Sequence, residues 1–296
     1  MSSFDTANER VGQIAAHLAK AGSSLTDKVC IVTGANSIKG IGRATVYALA
    51  KRGPKVIFAT DLRGENLEEL ARDIEMRYPN VACIARAFDA ASTEGVTNIV
   101  AEAMEMFGRL DVYFANAGMS LPRVRLEDAD ESSFMEVVRV NSLSAFLALK
   151  IAGKAMEETG KGGKEMSGGS IICTASVAGI RSGAGPPEYS AAKSAVINLC
   201  QTSAYQYAGT NVRTNAICPG IIETGMTVKT FDYAKSRGSS NKIGQLNPTR
   251  RYAVPSEVAA VVAFLASEEA SYINGQAIAV DGGLSASLPV VPGRFM

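Results

Sequence analysis

Short apolar runs alternate with stretches of helical periodicity along most of the chain. Val29–Thr33, Val56–Thr60, Val81–Phe88, Val112–Ala115, Ser170–Ala175, Val212–Ile217 and Ala277–Val280 read as strands, because each is a brief, largely apolar segment. Between them the period changes. Arg43–Arg52 predicts a helix that Gly53 is placed to end. Leu67, Leu70, Ala71 and Ile74 make the inward stripe of the next helix. Further helices are expected over Thr93–Phe107, 132–158, 187–208 and Pro255–Leu265. Strands apolar on both faces, alternating with helices, predict an α/β fold: one parallel sheet covered on both sides.

Val11, Ile14, Ala15 and Leu18 fall at helical spacing and predict a helix over 7–20, ahead of the main pattern. The expected organisation is an N-terminal helical extension, 1–25, followed by a single domain, 26–296. A length of 296 residues also permits two domains, but no shift in composition marks a boundary and no internal repeat is present. Thr159–Gly169, rich in glycine and carrying two lysines, reads as a surface insertion, and 221–247 as a mixed loop.

Composition narrows the chemistry. Hydrophobic residues at 47% and charged residues at 20% exclude a disordered chain. With 30 basic and 29 acidic residues there is no general pull toward nucleic acid or an anionic membrane, and neither is expected as a partner. No apolar run reaches the roughly 18 residues of a membrane span. The start of the chain has no apolar signal-peptide core, so a cytoplasmic location is expected. The single histidine, His17, excludes a Ser/His/Asp triad, a Cys/His pair or a multi-histidine metal site, and no metal is expected. Acid/base work falls to Asp, Glu, Tyr, Lys or Cys. Cys30, Cys83, Cys173, Cys200 and Cys218 form no CxxC and read as buried small hydrophobes in a reducing compartment.

Thr33 to Gly42 is a glycine-rich turn between the first strand and the first helix. Gly34 and Gly40 let the backbone turn sharply and approach a pyrophosphate, and the helix that follows aims free N–H groups at that anion. Asn36, Ser37 and Lys39 lie within the turn. It is not a P-loop, because Gly40 is followed by Ile41 and not by Lys-Ser/Thr. Asp61 ends the second strand nineteen residues after Gly42, where a carboxylate accepts hydrogen bonds from an adenosine ribose; Leu62 follows it. Asp89 and Ala90 end the third strand, within reach of an adenine. Asn116, Ala117 and Gly118 end the fourth. In an open α/β sheet all these carboxyl ends line one crevice. Tyr189 and Lys193 lie four apart on one helix face, and Ser176 ends a strand thirteen residues earlier.

These segments together resemble the classical short-chain dehydrogenase/reductase family. The resemblance runs from about Asp27 to Gly283. It rests on the glycine turn, Asn116-Ala117-Gly118, Asn141 in Val140-Asn141-Ser142-Leu143, Ser176, Tyr189-xxx-Lys193, Pro219-Gly220, Asn274-Gly275-Gln276 and Asp281-Gly282-Gly283. It implies a single Rossmann-type doubly wound parallel sheet of about seven strands. It also implies reversible hydride transfer between a nicotinamide cofactor and a secondary alcohol or ketone. Tyr189 would be the general acid/base, and a free phenol near 10 would need a downward shift to work near pH 7. Lys193 would supply positive charge and hold the nicotinamide ribose, Ser176 would hydrogen-bond the substrate oxygen, and Asn141 would hold a water next to Lys193. Pro219, Gly220, Ile222 and Thr224 would bind the cofactor, Thr224 at its carboxamide or phosphate side. The family resemblance further implies a homo-oligomer, a tetramer, which the apolar Leu288–Pro292 and the long helices favour.

Two features depart from the family's pattern. Five residues, Ala35 to Lys39, separate the first two glycines of the turn where three are usual, and the 159–169 segment lengthens the Asn141–Ser176 interval. NAD(H) is favoured over NADP(H), which stays possible. The Asp61 charge would repel a 2′-phosphate, while Lys39 and Arg63 argue the other way. Substrate-pocket walls are expected from 119–128, 177–188 and 221–247, including Met119, Leu121, Arg123, Ile180, Arg181, Met226, Lys229, Phe231 and Lys235. The competing readings are a catalytically silent nucleotide-binding scaffold and a methyltransferase, which would not need Tyr189 and Lys193.

Overall fold

Seven parallel strands form one sheet in the order β3-β2-β1-β4-β5-β6-β7. They are β1 (Val29–Thr33), β2 (Val56–Asp61), β3 (Ala82–Ala87), β4 (Val112–Ala115), β5 (Gly169–Thr174), β6 (Val212–Pro219) and β7 (Ala277–Val280). The computed structural model describes residues 9–16, 18, 22–122 and 124–288. Residues 9–16 are helical, within the helix expected over 7–20. His17, Arg123 and Pro289–Pro292 lie outside the described residues.

The helices are α1 (Ile41–Ala50), α2 (Leu67–Arg77), α3 (Thr93–Phe107), α4 (Glu131–Val138), α5 (Ser144–Leu147), α6 (Gly153–Glu157), α7 (Pro187–Gln206), α8 (Val228–Ser236) and α9 (Pro255–Ala266). Side chains alternate across each strand, so the sheet feeds two cores. In β1, Cys30 and Val32 pack with α1, α2 and α9 on one face. Val29 and Ile31 pack with α3, α7 and the 131–157 helical run on the other. Leu49, Leu70, Ile74 and Met156 are fully buried, each worth roughly 1.5–3 kcal/mol of hydrophobic stabilisation.

The helix expected over 132–158 is present but not uniform. Two wide π segments, Arg139–Leu143 and Ala148–Ala152, separate α4, α5 and α6. Side-chain donors take ladder carbonyls there. Asn141 Nδ2 donates to Val137 O, Ser144 Oγ to Val140 O, and Tyr207 Oη to Leu149 O. With part of its acceptors satisfied by side chains, two of its own and Tyr207 from outside, the helix can widen by a residue.

The surface reading of 159–169 needs correction at two residues, Lys164 and Gly168, both of them buried. Lys164 is buried, and its Nζ donates to Leu110 O at 3.0 Å and Met156 O at 2.7 Å. It satisfies carbonyls around the end of α6, which a solvent-facing lysine would leave to water.

Because β2 and β3 lie to one side of β1 while β4 lies to the other, the chain reverses direction between β1 and β4. The crevice opens at that switch point, outside the carboxyl ends of the strands.

Candidate active site

The carboxyl ends of β1, β2, β4, β5 and β6 and the residues after β3 bound a cleft of about 640 Å³. At its base the glycine turn is shaped by close backbone approach. Gly34 has φ +72°, and a Cβ at Gly42 would run into the Gly34 carbonyl. Any side chain at either place would displace the turn. Gly40 caps α1 without a side-chain hydrogen bond, and both Gly40 and Ile41 line the cleft. Uncapped N–H groups at the positive end of a helix suit a pyrophosphate. The residues present therefore fit a dinucleotide.

Asp61 lines the cleft and is held in place by the turn, accepting from the Asn36 N–H at 3.0 Å. The Asn36 side chain does not line the cleft. It binds the Glu65 carboxylate and the Asn66 backbone, so the two extra turn residues are stitched to the loop after β2. Lys39 does not line it either, and reaches across to Glu223 at 3.4 Å. Ser37, Leu62, Ala90, Ala117, Gly118, Pro219, Gly220, Ile222 and Thr224 all do. Asn116 also lines the cleft, but its amide serves as a brace. It donates to Thr33 O and Gly34 O and accepts from Thr174 Oγ1, tying β1, β4 and β5 together at the switch point.

Asp89 accepts from the Ala91 N–H at 2.8 Å and from Arg139 at 2.8 Å. Burial alone would raise its carboxyl, but these two donors hold it below the usual carboxylate value. Arg139, which also pairs with Glu136, lines the cleft and was not foreseen. Only the fold brings it beside a strand end fifty residues earlier. Thr33 was likewise missed; its hydroxyl accepts from the N–H groups of Asn116 and Ala117.

Ser176, Tyr189 and Lys193 come together on the wall formed by β5 and α7. Pro187 starts α7 in the first helical turn, where a missing N–H costs nothing, so Tyr189 is presented one turn before Lys193. Lys193 Nζ lies 5.5 Å from the Tyr189 ring centroid and donates to Thr174 O at 2.7 Å. Burial pushes the Lys193 ammonium down to about 8. Burial also pushes the Tyr189 phenol above its ordinary value, against a hydrogen bond with Ser176 that lowers it. The expected downward shift of Tyr189 is therefore reversed in the free protein. Desolvation of the phenolate outweighs the local donor, and the Lys193 charge is itself weakened by burial.

Asn141 lies behind the cleft wall and not on it. Its Oδ1 accepts from the Met119 N–H at 3.2 Å, and its Nδ2 donates to Met119 O at 2.9 Å. Gly118 allows this approach, since a Cβ there would stand 2.7 Å from Asn141 Oδ1 and 3.4 Å from Lys193 Nζ. Of the expected substrate walls, 119–128 gives Met119 and Ser120 to the cleft, 221–247 gives Ile222, Thr224, Gly225, Met226 and Thr227, and 177–188 gives none of its lining. Arg181 instead donates to the carbonyls of Leu284 and Ser287, and Phe231 packs edge-on against Tyr252.

Among the described residues no group of three or more His, Cys, Asp or Glu side chains is placed to hold a metal. The five cysteines are buried and unbridged.

A family model described as Enoyl-(Acyl carrier protein) reductase matches residues 34–285. Levodione reductase of Leifsonia aquatica is 36% identical over 265 residues, 88% of this chain and 96% of the relative. The 3-oxoacyl-(acyl-carrier-protein) reductase FabG of Thermotoga maritima is 36% identical over 264 residues, covering 88% and 98%. The crystal structure of levodione reductase superposes with a TM-score of 0.80, covering 89% of this chain and 99% of that one. L-sorbose reductase from Gluconobacter frateurii, solved with NADPH and L-sorbose, does so at 0.80 with 28% identity, covering 90% and 100%. The chain thus belongs to the classical short-chain dehydrogenase/reductase family, as an NAD(P)-dependent oxidoreductase of alcohols and carbonyls.

Proposed function

We propose that Tyr189 is the general acid/base of this enzyme, with Ser176 and Lys193 as its partners, Asn141 as their support and a secondary alcohol or ketone as substrate. The observation that carries the reading is the meeting of Ser176, Tyr189 and Lys193 on one wall of the nucleotide-shaped cleft. A nicotinamide bound there supplies or accepts the hydride. The Tyr189 phenol, pushed up further by burial, is in the protonated form that donates to a carbonyl oxygen in the reductive direction. Ser176 hydrogen-bonds the same oxygen as charge develops on it. Lys193 holds the ribose hydroxyls and lends positive charge to the phenolate in the oxidative direction. Asn141 keeps the 116–119 segment against Lys193 and holds a water there. The scaffold reading loses its motive, because Ser176, Tyr189 and Lys193 are intact and line one cleft. The test is Tyr189→Phe. Turnover with a panel of secondary alcohols and ketones should fall about 10²–10⁴-fold, while NADH affinity changes little. Turnover within about tenfold of wild type would remove Tyr189 from this role.

NAD(H) is the preferred cofactor in this reading. Asp61 lines the cleft at the end of β2, where its charge would repel a 2′-phosphate, and Lys39, one of the two cations that could bind that phosphate, pairs with Glu223. Residues 26–296 act as one domain, with 1–25 as an added helical segment. The enzyme works in the cytoplasm, where five unbridged cysteines remain reduced.

A further inference from the structure

The helix that precedes the family's pattern and the 159–169 segment that interrupts it meet on the side of the sheet away from the cleft. They enclose a cavity of about 200 Å³. Arg10 and Gln13 come from the helix, and Gly163–Gly169 from the segment. The floor is the amino edge of the sheet. Lys28 precedes β1, Asp111 precedes β4, and Arg213 lies at the start of β6. The active-site cleft uses the opposite ends of these same strands.

Charge does not balance in this cavity. Arg10, Lys28, Arg109, Lys164 and Arg213 line it, against Asp111, Glu165 and Glu268. Asp111 is already saturated. Arg109 holds it through two bonds of 2.8 Å, Lys28 stands at 3.6 Å, and the Val29 N–H donates at 2.9 Å. Glu268 is taken by Arg10 at 3.1 Å and Lys28 at 3.9 Å. Glu165 is exposed.

Lys164 and Arg213 are left without a carboxylate partner among the described residues, although each is more than nine-tenths buried. Lys164 donates to the carbonyls of Leu110 and Met156. Arg213 donates to those of Leu265, Ser267 and Ile273. Leu265 belongs to the last turn of α9 and Met156 to that of α6, so helix dipoles help to seat both cations. A helix end carries only about half a charge, however, and does not neutralise a buried ion. The lack of counter-charge is felt at Lys164. Burial, reinforced by Arg109 and Lys28 and opposed by Asp111, pushes its ammonium down to about 8. At the rim, Arg10 Nε is buried with no acceptor.

We propose that this cavity is a second ligand site, for a small oxyanion carrying two or more negative charges, a phosphate or a polycarboxylate. Such a ligand supplies the counter-charge that Lys164 and Arg213 lack and an acceptor for Arg10 Nε. It also bridges the N-terminal helix and the 159–169 segment to the sheet edge, so occupancy stabilises the fold.

The experiment is thermal unfolding of the full chain with the cleft saturated by NADH, so that the glycine turn is not the responding site. Inorganic phosphate and citrate are titrated separately at constant ionic strength set by sodium chloride. Either anion is expected to raise Tm by about 3 °C or more, saturably. A response to phosphate alone assigns a phosphate site, and a response to citrate alone a polycarboxylate site. Lys164→Met should lose the response. Arg10→Gln, at the partly exposed rim, should fold normally and need about tenfold more anion for half the effect, equivalent to one strong charged contact. Arg10→Gln decides the matter if Lys164→Met does not fold. No rise beyond the chloride control, or an unchanged titration in Arg10→Gln, overturns the proposal.

Discussion

Single residues here carry two kinds of information, identity and environment. Asp61 was chosen from its identity and its distance from the glycine turn. Its environment adds that the Asn36 N–H pins the carboxylate and that Lys39 is diverted to Glu223. Wild-type enzyme should therefore favour NAD(H) over NADP(H) by about tenfold or more in kcat/KM, roughly the 1.4 kcal/mol of one unfavourable charge contact. Asp61→Ala should erase most of that ratio. A wild-type preference for NADP(H) would mean that Lys39 and Arg63 prevail. Lys193 yields a prediction about pH. Its ammonium titrates at about 8 in the folded protein and at 10.5 when free. Between those values the unfolded chain holds a proton that the folded chain has released, so this residue makes stability rise with pH over the window. Cys30 and Cys83, both pushed up by burial, act in the opposite sense above about pH 9. The sign is accordingly read as a difference in urea midpoints. From pH 7.5 to 9.5, wild type should gain stability relative to Lys193→Met, and parallel curves would contradict the burial of a charged lysine.

At the scale of elements, strands and helices were legible because their patterns are local. Leu67, Leu70, Ala71 and Ile74 form the buried stripe of α2 as their spacing requires. The π segments in the 131–157 run were not legible. They depend on Asn141, Ser144 and Tyr207 reaching particular carbonyls, and Tyr207 comes from the end of another helix. The contact between the end of β4 and the first π segment gives a further prediction. Gly118→Ala would press a methyl group on Asn141 Oδ1 and Lys193 Nζ. Turnover should drop by as much as about 100-fold, the effect of misplacing a catalytic group by roughly 1 Å. Circular dichroism should be unchanged, because residue 118 lies outside every strand and helix. Full activity would show that the position of Asn141 is not needed for catalysis.

For the whole molecule, the relevant surface is the outer face of the 131–157 run. Phe134, Met135, Leu143 and Phe146 are each 38% exposed or more, an apolar stripe of the kind monomers rarely leave in water. Nearby, Glu188 at the start of α7 is buried with one carboxylate oxygen lacking a partner. We expect a homotetramer that covers this face. Light scattering at micromolar concentration should return about four times the 31.0 kDa chain mass. A stable monomer would refute it, and Phe146→Glu should dissociate the assembly if the stripe is the contact.

The order of strands and helices along the chain, the nucleotide turn and the Tyr189–Lys193 pair were legible in the sequence, except for α8, which lies in the 221–247 segment read as a mixed loop and corrects that reading. Each is a pattern within a few residues of itself, set by side-chain periodicity, glycine's conformational freedom or the pitch of a helix. Tertiary structure decided what depends on distant residues meeting. It set Arg139 on Asp89, turned the Asn116 amide into a brace, put Asn141 behind the wall and reversed the expected shift of Tyr189. It also buried Lys164, which composition placed at the surface. Burial and pairing are properties of position in space, and a pKa or a hydrogen bond follows the surroundings of a group and not its place in the chain.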